Sequence, residues 1–103
     1  TIATTHLSFV PGVNVRQLRT VVREMQRLLP PPYLLAGDLN LIGAIPRAVS
    51  GWRSLGSAKT YPSPKPMVQF DWILGTGDLP PVTHAEAIEL PVSDHRALAV
   101  DLG

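Results

Sequence analysis

Three consecutive prolines, Pro30–Pro32, divide the first third of this chain more firmly than any other feature. Proline lacks the backbone N–H and clashes with the turn before it, so no regular helix passes through them. Before them, Val15, Leu18, Val22, Met25 and Leu29 recur at spacings of three and four, which is one apolar helical stripe. After them comes "YLLAG", residues 33–37, a short apolar run suited to a buried strand. The chain must therefore pass from helix to strand within a few residues. Asn14 is placed to cap the helix, with Gln17 three residues on as its reciprocal partner. Arg16, Arg19, Arg23 and Arg27 fall largely off the stripe and are expected to face water.

The rest of the chain reads around that helix. "IATTHLSF", residues 2–9, is rich in β-branched residues and predicts a strand. Residues 41–66 hold Gly, Ser and several prolines and are expected to be mostly loop, with "RAVSGWRSL" as a helical turn. "MVQFDWILG", "VTHAEAIEL" and "HRALAVDL" supply three more strands. Strand, helix, strand, long loop and three strands predict an α/β fold, with a helix on one face of a sheet. The single stripe covers one sheet face, and little else in the sequence could cover the other.

Composition sets bounds. A chain of 103 residues suits one domain, and 45% hydrophobic residues suffice for a core. The net charge of +1 gives no basic nucleic-acid surface, although a local phosphate site needs none. With no cysteine, disulfides and thiolate metal sites are impossible. No apolar run approaches the roughly 18 residues of a membrane span. The chain opens in what reads as mid-strand, without Met, so it is expected to be a piece of something longer.

The candidate functional residues stand at the ends of strands. Asp38 and Asn40 follow one apolar run, Asp71 sits inside another, and Asp94 and His95 immediately precede the last. His6 lies in the first strand. A carboxylate in an apolar strand is costly unless paired or bound. A histidine is the obvious partner for Asp71, because an Asp–His pair fixes the imidazole tautomer and favours its charged form. Each motif alone reads equally well as a turn. The third histidine, His84, has no evident partner and is taken as structural.

Taken in order, "TTHLS", "GDLN", "FDWIL" and "SDHRAL" resemble the C-terminal half of the endonuclease/exonuclease/phosphatase superfamily, whose members include deoxyribonuclease I-like enzymes. The resemblance implies a mixed, mainly antiparallel sheet with a helix on one face, half of a four-layered α/β sandwich. It implies hydrolysis of a phosphodiester or phosphomonoester by activated water with Mg²⁺ or Mn²⁺. By motif, Asp38 would position or deprotonate the water, and Asn40 would hold a phosphate oxygen and the Asp38 side chain. Asp94, with Asp38, would hold metal. His95 would contact the phosphate and share a proton with Asp71. His6 matches a histidine used by some members near the leaving group.

The family's N-terminal half, with its metal-ligating Glu, has no counterpart in these residues. The chain alone is therefore expected to be inactive and to bind metal poorly. Its expected partners are a phosphate-ester substrate, the other half of its own domain, or a second copy covering a sheet face with Ile2, Leu35, Ile73, Leu98 or their neighbours. A loop around Trp52 and Tyr61 folding over that face is the alternative. Two rival readings remain: a non-enzymatic binding module that keeps the fold, and an unrelated α/β domain. The last predicts that Asp38, Asp71, Asp94 and His95 lie far apart.

Overall fold

The computed structural model describes residues 1–103. Strand β1 (Ile2–His6) leads through a turn into helix α1 (Val13–Leu28), and β2 (Tyr33–Asp38) follows the three prolines. Segment 41–66 is less of a loop than its composition predicts: it holds helix α2 (Ile45–Ser50) and strand β3 (Arg53–Ser54). Then come β4 (Asp71–Thr76), β5 (Val82–Ile88) and β6 (Ala97–Leu102). The main sheet has the order β1-β2-β4-β3, with β1 and β2 parallel and the other pairs antiparallel, so the α/β fold with a mixed sheet is as the sequence implies. The last two strands are not part of it. They form a separate hairpin sheet that lies against β4 and Gly56, where an added Cβ would meet Val100, Ala85 and Leu98.

Helix α1 buries its stripe as the spacing predicts: Leu18, Val22 and Met25 pack with Leu35, Leu74, Trp72 and Tyr33. Leu29 is the exception, since it caps the helix in an extended conformation and is 39% exposed. Its carbonyl instead accepts the Tyr33 hydroxyl at 2.8 Å. Leu35 is fully buried on this helix side and not on the opposite face. Trp52 stacks on Tyr33 with ring centroids 5.4 Å apart, so it closes the same core and does not fold over the other face.

The Asn14 cap is corrected. Gly12 is the N-cap, and no side chain caps the helix. Asn14 lies inside the helix, buried, and its side-chain amide donates to the Asn40 carbonyl at 3.0 Å. Gln17 turns back to accept the Ser8 N–H at 2.8 Å. The Asn14 amide N–H and the Gln17 carbonyl serve the loops that follow β2 and β1, where they replace water for backbone groups that have no ladder partner, while Asn14 Oδ1 accepts the Val15 N–H within the helix at 2.8 Å.

Residues paired across strands point to the same face. The register His6↔Asp38↔Asp71 therefore puts three polar side chains in one row across three strands, on the side away from α1. Ile2, Leu34, Ala36 and Ile73 share that side by the same alternation. Asp71 is the first residue of β4, not an interruption within a longer strand. The two strands running toward the row end there and the third begins there, so the row lies at one edge of the sheet.

Candidate active site

The row is completed from outside the sheet. The turn before β6 brings His95 over it, and His95 Nδ1 lies 2.7 Å from Asp71 Oδ2. The other ring nitrogen, Nε2, is 3.7 Å from Asp38 Oδ2. His6 Nε2 approaches the same Asp38 oxygen at 3.4 Å. Potential ligand atoms of Asp38, Asp71 and His95 all lie within 4.8 Å of one another. That proximity contradicts the unrelated-domain reading.

Asp38 is fixed by the turn that follows it. The Asn40 backbone N–H donates to Asp38 Oδ1 at 3.0 Å, closing an Asx-type turn. Asn40 takes φ 52°, a left-handed conformation that asparagine tolerates better than most residues. Its side-chain amide donates to the Leu7 carbonyl at 2.8 Å. Asn40 thus contacts Asp38 through its backbone rather than its side chain, and it ties the end of β2 to the end of β1.

Asp94 is placed differently from the other acids. It is exposed, its carbonyl accepts the Ser63 N–H at 2.7 Å, and its carboxylate stands outside the three-residue cluster. Next in sequence to His95, it still acts on that ring through its charge. Partial burial pushes the His95 imidazole down, but the Asp71 hydrogen bond and the charges of Asp71, Asp38 and Asp94 together raise it above the usual 6.5. The charged form is thus favoured more than in a free imidazole, and in that form Nε2–H points a donor toward the space beside Asp38. His84 makes only an exposed contact with Glu86, 3.5 Å away, apart from the site.

This makes one expectation for the metal-free chain. The raised folded pKa means His95 stabilises the fold fully below the unfolded value of about 6.5. The contribution is lost as pH rises through the folded pKa. In Asp71→Asn the main raising contributions disappear and burial remains, so the His95 ring should titrate lower than in the wild type. NMR titration of the imidazole protons in EDTA reads both. An unchanged His95 titration in the variant would contradict the pairing.

Several supporting residues have no periodic signal in the sequence. Tyr61 and Phe70 pack around His95, with ring centroids 4.9 and 6.3 Å away. The buried Thr60 hydroxyl accepts the Phe70 and Asp71 N–H groups at 3.2 and 3.3 Å, and so sets where β4 begins. The Arg96 N–H donates to the Thr60 carbonyl and its Nε to the Ser63 carbonyl, which locks the His95 turn onto that loop. The one local cue is "TYPSP", an aromatic preceded by Thr and followed by two prolines with Ser between them. Beside His6 a smaller recess of about 370 Å³ is lined by Thr5, Arg16, Gln17 and Thr20 among others, and no acidic residue enters it.

Two carboxylates and a histidine thus meet at one edge of the sheet in an α/β fold. The sequence matches the Endonuclease/Exonuclease/phosphatase family over residues 3–95, and the chain belongs to that family. Its members are phosphoester hydrolases, which agrees with the site's donors and charge. No curated protein matches the chain.

Proposed function

We propose that this chain carries the water-activating and phosphate-contacting side of a Mg²⁺- or Mn²⁺-dependent phosphoester hydrolase. The observation that carries the reading is the register row His6–Asp38–Asp71 with His95 seated over it. Asp38, held by the Asn40 N–H, positions a water and takes its proton. His95 Nε2–H donates to a phosphate oxygen, a charge-assisted bond that strengthens as negative charge develops there. Asp71 accepts from Nδ1, which fixes the ring and favours its charged form. His6, at 76% side-chain exposure, stands at the rim of the site, where its role in the proposed mechanism is an acid near the leaving group.

The donor set fits a hard divalent cation in kind. Carboxylate oxygens suit Mg²⁺, whereas Asp71 Oδ2 and His95 are occupied with each other. Asp38 would hold the ion, and the exposed Asp94 would join it only by turning in from outside the cluster. When bound, it supplies positive charge against the phosphate oxygens. Two carboxylates are few for an ion that dehydrates reluctantly. The 103 residues alone therefore bind Mg²⁺ more weakly than micromolar and turn over a generic phosphodiester negligibly. The active enzyme draws a further carboxylate, and a cover for the face bearing Ile2, Leu34 and Ile73, from additional polypeptide.

The test is a screen of phosphodiester and phosphomonoester substrates on the longest natural polypeptide carrying these residues. Turnover should require Mg²⁺ or Mn²⁺ and vanish in EDTA. Turnover indifferent to EDTA would remove the metal from the account, and no turnover on any phosphate ester would leave a binding module.

A further inference from the structure

A second cleft, of about 890 Å³, lies away from the row, between α2, the end of β3, the loop before β4 and β5. None of His6, Asp38, Asp71 or His95 lines it. Its two charged residues, Arg47 and Lys59, are both cations, no acid lines it, and neither cation forms an ion pair. Apolar side chains make up half of its wall, with Leu55, Val68 and Trp72 among them. Met67 also lines it and is left 72% exposed, a flexible and polarisable surface suited to an apolar ligand.

From these features we propose that this cleft binds a small amphiphilic anion, an organic phosphate or carboxylate carrying an apolar body. The size is that of a small-molecule site, and such sites combine an apolar wall with a few polar groups that orient the ligand. Arg47 and Lys59 meet the anionic head. Unpaired cations have no protein partner to give up, so an anion gains charge-assisted hydrogen bonds without breaking existing ones. Met67, Val68 and Leu55 meet the apolar body. The uniform sign of the charge selects against cationic and zwitterionic analogues, and the apolar wall selects against bare inorganic anions. Gln69 joins the cleft to the active site, because it lines the cleft while its side chain donates to the Gly56 and Asp71 carbonyls at 3.2 and 3.1 Å.

The test follows NMR shifts of the chain with octyl phosphate below its micelle concentration, with octanol, with inorganic phosphate and with vesicles of a phosphatidylglycerol–phosphatidylcholine mixture. Octyl phosphate should saturate and shift the Met67 methyl and the Lys59 and Arg47 signals, leaving the His95 ring in place. Octanol and phosphate should each bind at least about tenfold more weakly, the scale of one charge-assisted contact or a few buried methylenes. Arg47→Gln with Lys59→Gln should weaken octyl phosphate about tenfold at an unchanged melting temperature. Equal binding of octanol and octyl phosphate would overturn the proposal. So would shifts centred on His95, the absence of saturable binding, or response to vesicles alone. If the double variant does not fold, Met67→Glu serves instead: it places a like charge beside the anion and should weaken octyl phosphate while the His95 signals stay native.

Discussion

Replacing Gly37 by alanine should abolish the native fold of this chain. Gly37 sits in β2 beside β1 with φ 146°, a conformation nearly closed to residues with a side chain. A Cβ there would lie 1.8 Å from the Thr5 carbonyl oxygen and 2.9 Å from its carbon, both backbone atoms that cannot swing away. Relief requires β1 to separate from β2, and with it go the parallel pairing and the bond from the Leu7 N–H to the Asp38 carbonyl. A backbone collision of this kind belongs with the exceptional substitutions that cost more than about 4 kcal/mol. Gly43→Ala is the control. It also has positive φ, at 64°, but nothing lies within 4 Å of its added Cβ, so it should cost only about 1–2 kcal/mol. Urea unfolding followed by circular dichroism separates them: Gly43→Ala with a shifted midpoint, Gly37→Ala without a cooperative transition. A native-like midpoint for Gly37→Ala would mean that the two strands do not meet as described.

The second large effect is kinetic. In an active polypeptide carrying these residues, Asp38→Asn should lower kcat by roughly 10²–10⁴, the usual contribution of a positioned base. Asn keeps the size and can still accept the Asn40 N–H, so the fold and the His95 turn should survive. Asp71→Asn should fall in the same range by another route, since it leaves the His95 ring unfixed and less cationic. Asp71 and His95 act as one unit, so Asp71→Asn combined with His95→Ala should lose little more than the worse single variant. Melting temperatures measured alongside distinguish lost chemistry from lost fold. Multiplicative losses in the double variant would show that the two residues act separately.

These expectations rest on a site that is unevenly legible in the sequence. The Leu18–Val22–Met25 stripe and the prolines after it fix α1 and its buried face, because helical periodicity is a local signal. The polar residues at strand ends are visible for the same reason: each breaks an apolar run. Their convergence is not visible from any one run. It depends on the register that pairs His6 with Asp38 and Asp38 with Asp71, and a slip of one residue would turn each side chain to the other face. Asn14 shows the limit of local reading. Its spacing to Gln17 is that of a capping box, but a buried contact with Asn40, 26 residues away, claims its side chain. The supporting contacts of Thr60, Tyr61 and Arg96 with the site have no local signal, because their partners also lie far along the chain and no period of two or 3.6 marks them. The strand ends shifted where tertiary bonds intervene, as at β4, whose start is set by the Thr60 hydroxyl.

The central claim is that a phosphate oxygen accepts from His95 Nε2 at the mouth of the site, beside Asp38. Its most direct measurement is a titration of the chain with inorganic phosphate in the presence of Mg²⁺, read through the ¹⁵N resonances of the His95 imidazole and the backbone amides. The account predicts a saturable shift of His95 Nε2, with accompanying changes at Asp38 and Asn40, that disappears in His95→Gln. A phosphate titration that leaves Nε2 unmoved, or moves only residues outside this edge of the sheet, would contradict it.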